Sequence, residues 1–336
     1  MSNTPSIHLV IPYLRSPLAL WEHDFGFKPQ SQYLLPFINT SVAQAVPVQG
    51  LEKTLLYISG YPDHDNLPWA AIRYAFDTGI RPESVTEALL CADPVYLESH
   101  LEGVNLKQVL KATPEEANAL LNTLNTHLAQ DNLQLITTRP EHWYLKALSE
   151  TIDFPKTSPA SQALGQNIRD YLPQSTNLYW RRLINELQML LYTHPINQQR
   201  ERLKQVPINS VWLWGEGSVQ VSPPSLRLVQ SGGILGQIMA FYNGCARQPE
   251  LGPSDALNQL LLVQQLTEFA LKDDLESWQQ SLNQLEQQLA WLWEKTQNSA
   301  YQITLYDTLG TCWISPPKQA ERSFRQKLAS FWAHKH

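Results

Sequence analysis

The side chains best suited to binding or chemistry crowd between Asn185 and Gly217. Asn185-Glu186-Leu187-Gln188-Met189 is followed by His194-Pro195-Ile196-Asn197-Gln198-Gln199-Arg200-Glu201-Arg202, and then by Asn209-Ser210-Val211-Trp212-Leu213-Trp214-Gly215-Glu216-Gly217. His194, Asn197 and Arg200 recur at every third residue, which on a helical turn places them on one face. Such a face can hold a phosphate or carboxylate through charge-assisted hydrogen bonds. Arg200 is the natural anion anchor, and Trp214 offers a flat wall for stacking. The candidate ligand site is therefore Asn185, His194, Asn197, Arg200, Asn209 and Trp214. The competing reading is structural: Asn197 and Asn209 satisfy backbone groups, while Arg200 and Arg202 are solvated.

Other constellations carry less. Asp63-His64-Asp65 is a compact acid and histidine cluster, but it sits in a proline-rich loop, and no metal site is expected there. Ser231-Gly232-Gly233 precedes the apolar Ile234-Leu235-Gly236-Gln237-Ile238-Met239. A helix starting after Gly233 would offer free backbone donors to an anion; alternatively, the glycines only permit close packing. No Gly-x-Ser-x-Gly elbow, P-loop or His-Glu-x-x-His occurs. No catalytic residue, metal or cofactor is assigned from motifs.

The elements that must position these groups alternate between strand and helix. Ile7-His8-Leu9-Val10-Ile11, closed by Pro12, reads as a buried strand. Leu55-Leu56-Tyr57-Ile58 fits either a strand or a helix end. Thr113-Pro114-Glu115-Glu116 has the form of a capping box with proline at the first helical position. Leu120, Leu121, Leu124 and Leu128 then share one helical face, and Leu133-Gln134-Leu135-Ile136-Thr137-Thr138 follows as a strand. A second helix is predicted from Ser175-Thr176, turning Leu183, Leu187, Leu190 and Leu191 inward and ending at Pro195. Ser210 to Trp214 reads as a strand entering a glycine turn, and Tyr301 to Tyr306 as a late strand. Leu275, Trp278, Leu282, Leu285, Leu289 and Leu292 form an apolar helical seam suited to core packing. Lys318, Arg322, Arg325 and Lys327 mark a basic, helix-like tail with a solvated face. Alternation of this kind predicts an α/β class.

Composition narrows the function. With 336 residues, the chain has room for about two domains of ordinary size. Hydrophobic residues at 43% and charged residues at 17% indicate a globular protein rather than a disordered one. A formal charge of −6 and the lack of a helix-turn-helix pattern argue against nucleic-acid binding. No apolar stretch approaches a membrane span, and Met1-Ser2-Asn3-Thr4-Pro5 lacks the regions of a signal peptide, so a cytoplasmic location is expected. Cys91, Cys245 and Cys312 stand far apart and are expected to be small core residues.

The run His194 to Gly217 resembles a segment of archaeal-type, cofactor-independent phosphoglycerate mutases, in which a His-Pro-x-Asn and Arg-rich stretch leads into an Asn-x-x-Trp-x-Trp-Gly-x-Gly strand. That family belongs to the alkaline phosphatase superfamily. Arg81 to Leu97 is more loosely similar to the family's strand at the entry to its inserted domain. Ala92-Asp93-Pro94-Val95-Tyr96-Leu97, Glu141-His142-Trp143-Tyr144-Leu145, Asn185 to Leu191 and His194-Pro195-Ile196-Asn197 also resemble the RpfE-type regulatory proteins of proteobacteria. The resemblance spans about Ala92 to Gly217. It implies an alkaline-phosphatase-like core sheet flanked by helices, from residues 1–95 and 207–336, with an inserted α+β subdomain at 96–206.

In the mutases the first strand ends in a metal-binding Asp-Gly, a later serine is the nucleophile, and Asp-His and His motifs complete a two-metal site. Here the first strand ends in Pro12-Tyr13-Leu14-Arg15, and no Gly-Asp-His motif follows Gly217. The resemblance therefore implies a catalytically degenerate, regulatory protein without metal or cofactor. Its expected partner is a small phosphorylated or carboxylated metabolite or a protein. Two rivals remain: an active metal-dependent mutase or phosphatase, and a protein-binding or DNA-associated regulator using the Leu275 to Leu292 seam or the basic tail.

Overall fold

Ile7 and Leu9 alternate with Ser6 and His8 in an extended segment, so the apolar pair is buried on one face and the polar pair falls on the other. The computed structural model describes residues 5–101, 103–173, 178–220, 222–223, 225–293 and 301–315. Its strands are β1 (Ser6–Val10), β2 (Val42–Ala45), β3 (Leu89–His100), β4 (Gly103–Val109), β5 (Leu133–Arg139), β6 (His142–Ala147), β7 (Ser210–Trp214), β8 (Leu228–Gln230), β9 (Ala246–Gln248), β10 (Asn258–Leu262), β11 (Gln302–Tyr306) and β12 (Thr311–Ile314). They belong to two units, one from Met1–Gln49, Thr54–Gly60 and Pro224–His336, the other from Gly50–Lys53 and Tyr61–Pro223.

The first unit is built on a seven-stranded sheet of order β2-β12-β11-β1-β10-β8-β9. The strands from β9 to β11 run parallel, and β12 and β2 are antiparallel at one side. Against it packs the helix Leu275–Gln288, whose seam residues Trp278, Leu282 and Leu285 are buried, as are Leu289 and Leu292 beyond its end. They join Ile7, Leu9, Trp21, Ile303 and Leu305 in one apolar cluster. The seam is thus consumed in the core, at about 2 kcal/mol for each fully buried leucine. Leu55 to Ile58, which the sequence left between strand and helix end, close the helix Leu51–Ile58. The basic tail lies outside the described residues.

The second unit holds an antiparallel sheet in which β3 pairs with β4, β6 and β7, and β5 pairs with β6. The capping box forms: Thr113 Oγ1 accepts from the Glu116 N–H at 3.2 Å, and Glu116 Oε2 accepts from the Thr113 N–H at 2.8 Å. The helix Pro114–Leu128 buries Ala117, Leu120, Leu121, Leu124 and Leu128. Asn132, at φ 55°, ends the turn after it in the left-handed conformation that asparagine tolerates. The helix Tyr179–Tyr192 buries Trp180, Leu183, Ile184, Leu187 and Leu191, with Leu190 only half-buried. Its expected start near Ser175 lies outside the described residues. Pro195 does not merely stop that helix; it occupies the first position of a new one, Pro195–Arg202.

A boundary between residues 95 and 96 falls inside β3. That strand is continuous because Val95 pairs with both Val109 and Ser210, so the sheet draws on residues from either side of the expected insert. Cys91 and Cys312 are buried as expected, whereas Cys245 is half-buried. Among the described residues no helix is long and apolar enough to cross a membrane.

Candidate functional site

Parallel strands release their following loops at one edge, where α/β proteins gather binding groups. In the first unit that edge carries Pro12-Tyr13 after β1, Ser231-Gly232-Gly233 after β8, Val263-Gln264-Gln265 after β10 and Asp307 after β11. A cleft of about 520 Å³ opens there, lined by Ser231, Gly232, Gly233, Glu250, Gln264, Gln265 and Gln288 among others. Gly233 caps the helix Ile234–Asn243. A Cβ on Gly236 would stand 2.4 Å from the Ser231 Cβ, so glycine is what lets the β8 loop close onto that helix. One on Gly233 would meet Gln264 Oε1 at 3.3 Å.

The polar lining is mostly amide and hydroxyl, with Glu250 as its one carboxylate. Gln265 donates its amide to Ser281 O at 3.0 Å, whereas Gln264 makes no side-chain hydrogen bond among the described residues. Tyr13 holds φ 60°, a strained value for a side chain of its size. Its carbonyl accepts from Trp278 Nε1 at 3.2 Å, which fixes that turn. Asp307 is buried and accepts from the Leu309 N–H at 2.8 Å; burial raises its pKa above the usual carboxylate range. Arg15 lies 4.7 Å over the Trp313 ring. Two divalent ions need several hard oxygen or imidazole ligands converging on each. Among the described residues no group of three or more His, Cys, Asp or Glu side chains converges, and the residues at this edge do not fit a two-metal centre.

The six residues singled out from sequence all lie in the second unit and have other partners there, apart from Asn185. His194 caps the helix Pro195–Arg202: its Nδ1 accepts from the Ile196 N–H at 3.2 Å and its Nε2 meets Thr123 Oγ1 at 3.0 Å. Burial lowers its pKa. Asn197 is buried and donates to Leu191 O at 2.8 Å and Ile208 O at 2.7 Å, while its Oδ1 accepts from the Ile208 N–H at 2.8 Å. Asn209 bonds both backbone groups of Leu97 at 2.8 Å. For these two asparagines the backbone-satisfying alternative describes the geometry.

Arg200 departs from both readings. It is neither solvated nor a free anion anchor; it is buried, donates to both Glu116 oxygens at 2.9 and 2.8 Å, and donates to Val206 O at 2.8 Å. Trp214 stacks on Trp69, with ring centroids 6.2 Å apart, and donates to Asp93 Oδ2 at 2.6 Å. Asn185 is exposed on the outer face of the helix Tyr179–Tyr192.

Sequence reasoning passed over a buried polar network in the same unit. Arg73 donates to Asp93 Oδ1 at 2.6 Å, to Trp143 O at 3.0 Å and to Tyr144 Oη at 3.2 Å. Tyr144 donates in turn to Asp77 Oδ2 at 2.6 Å, where Thr138 Oγ1 at 2.6 Å and His142 Nδ1 at 2.8 Å also meet it. Burial works against both charges. The Asp93 carboxylate nonetheless holds the Arg73 pKa above its ordinary value, and the bonds from His142, Thr138 and Tyr144 hold the Asp77 carboxyl below its own. The signal was available: Arg73 and Asp93 interrupt the apolar runs Trp69–Ile72 and Leu89–Ala92, and a charge inside such a run needs a buried partner.

No protein-family model matches the chain. Over 122 residues it is 28% identical to the 2,3-bisphosphoglycerate-independent phosphoglycerate mutase of Methanosarcina barkeri, covering 36% of this chain and 31% of that protein. The enzyme of Methanosarcina mazei is 27% identical over 104 residues, 31% of this chain and 26% of its own length. The match thus spans under a third of the length of these curated relatives. In three dimensions the chain is similar to the PH0037 protein of Pyrococcus horikoshii, with a TM-score of 0.50 at 11% identity over 93% of this chain and 87% of that one, a likeness of fold alone. By its sequence, this α/β chain is a distant relative of the cofactor-independent phosphoglycerate mutases.

Proposed function

We propose that this chain is a catalytically silent relative of the phosphoglycerate mutases that binds a small phosphorylated or carboxylated metabolite in the cleft at the carboxyl edge of its parallel sheet and acts in regulation. The observation that carries the reading is the donor set of that edge. Gln264, Gln265, Gln288 and Ser231 present amides and a hydroxyl beside a single carboxylate, Glu250, and Pro12-Tyr13 follows β1 where the resemblance implies a metal-binding Asp-Gly. Amides and hydroxyls orient an oxygen-rich ligand without activating a nucleophile. A cleft of about 520 Å³ is of the size that small metabolites occupy. Similarity to RpfE-type regulatory proteins in Ala92–Leu97 and His194–Asn197 supports the regulatory part of the proposal.

The test has two arms. Elemental analysis of the purified chain, with mutase and phosphatase assays in added manganese, is expected to find no stoichiometric metal and no turnover. Two bound ions with turnover would overturn the proposal in favour of an active metal-dependent enzyme. Calorimetric titration with phosphoglycerate and with simple dicarboxylates is expected to give saturable binding that Gln264→Ala weakens. Failure of every such probe to bind would remove the ligand.

A further inference from the structure

A strand at the side of a sheet leaves backbone N–H and C=O groups unpaired, and proteins guard such strands with charge, proline, a bulge or a covering segment. Several strands here are guarded. β9 is three residues long and carries Arg247. β4 carries Lys107, breaks register against β3 at Tyr96/Leu97, and is bridged by Leu164 and Asn167. β5 carries Arg139 next to a break in its register against β6.

β2, itself only four residues long, shows no charge, proline, bulge or covering segment among the described residues. Val42-Ala43-Gln44-Ala45 is exposed at all four positions and keeps unbroken register against β12. No charged residue occurs between Lys28 and Glu52, and the nearest following proline, Pro47, lies past the strand. The phase of its hydrogen bonding follows from the flanking bond, Val46 N–H to Gly310 O at 2.9 Å. In an antiparallel pair the residues facing the partner strand alternate with those facing away. Val46, Gln44 and Val42 therefore address β12, and Ala43 and Ala45 turn their N–H and C=O groups outward. No hydrogen bond among the described residues uses those four groups.

We propose that β2 pairs with β2 of a second copy of this chain, antiparallel about a twofold axis at Gln44, joining two seven-stranded sheets into one. The strand is its own complement. Placing Ala43 opposite the partner's Ala45, and Ala45 opposite the partner's Ala43, satisfies all the outward donors and acceptors in two hydrogen-bonded pairs, as an isologous contact requires. Gln44 then faces the partner's Gln44 at the closest type of cross-strand approach, about 4.5 Å between Cα atoms, where their amides can bond each other. Val42 faces the partner's Val46, and no like charges meet. Main-chain bonds would accept any extended strand, but the twofold match also pairs Gln44 with Gln44 and Val42 with Val46 and makes each contact twice, which is why the second copy is the occupant.

Sedimentation of the full-length chain up to about 100 μM is expected to show a reversible dimer. Gln44→Lys sets two like charges face to face on the axis and is expected to weaken dimerisation at least about tenfold. Ala43→Pro removes an outward N–H that the sheet itself does not use and is expected to give monomer with unchanged circular dichroism. A monomeric wild-type chain across that range, or a dimer of unchanged affinity in Gln44→Lys, would overturn the proposal. Should Ala43→Pro fail to fold, Gln44→Lys decides alone, because its side chain is exposed on the free strand.

Discussion

The two units handle the polar side chains of their sheets in opposite ways. In the second, Arg73, Asp93, Tyr144, Asp77 and His142 enter the interior and are bonded to one another, and Arg200 is closed by Glu116. In the first, the cleft at the carboxyl edge is lined mostly by neutral polar groups, with Glu250 as its one carboxylate, and Gln264 makes no side-chain hydrogen bond among the described residues. A closed charge network has no capacity left for a ligand, however dense its chemistry looks in sequence. Unpaired neutral groups in a cleft keep that capacity. Crowding of reactive residue types is therefore a weaker guide to function than whether each has already found a partner.

The sharpest way to break this contrast is at the Arg73–Asp93 pair. Arg73→Met leaves the Asp93 carboxylate buried without its cation and is expected to cost about 3–5 kcal/mol in chemical denaturation. The double variant Arg73→Met with Asp93→Leu is expected to recover much of that loss. A loss under about 1 kcal/mol in the single variant would mean that the network is open to solvent.

In the first unit, sensitivity to mild acid is expected to centre on His8. His8 sits in β1 with Nδ1 3.1 Å from Tyr306 Oη, and burial pushes its pKa down to about 4. Below the unfolded value of about 6.5 the unfolded chain takes up a proton that the folded chain refuses, so this stability is complete above pH ~6.5 and is lost as pH falls toward the folded value. The loss amounts to about 3 kcal/mol at most. His8→Gln should flatten stability between those limits; an unaltered pH profile would show that His8 is hydrated.

Asn197→Ala comes next, at about 2 kcal/mol, because three backbone groups lose their partner in a buried place. The smallest change is the most informative for the cleft. Gln264→Ala should shift stability by less than about 0.5 kcal/mol while weakening ligand binding. A large destabilisation would place Gln264 among the structural residues and dissolve the contrast between the units.

Features that depend on neighbours a few residues apart were legible in the sequence: β1, the capping box at Thr113, the leucine face that follows it, and the seam of the helix Leu275–Gln288. Asn197 and Asn209 could be recognised as candidates for backbone bonding, but not which backbone they bond. Arg200 read as exposed or ligand-facing because nothing near it in sequence reveals Glu116. The cleft was only half visible, since the Ser231-Gly232-Gly233 loop suggests a helix start and gives no sign that Gln264 and Gln288 gather beside it.

Glu286 marks the division most clearly. In sequence it is one of several Gln and Glu residues on a helix with an apolar seam. In the fold it is buried, and its carboxylate accepts from Ser31 Oγ and from the backbone N–H groups of Gln32, Tyr33 and Leu34, capping the helix Leu34–Thr40. Sequence alone determined the α/β alternation, the helix starts and the inward faces, because helix caps and hydrophobic periodicity act over one or two turns. Only tertiary structure decided which polar groups are spent and which are free. Hydrogen bonding is short-ranged in space but indifferent to distance along the chain, so the partner of Glu286 lies some 250 residues away.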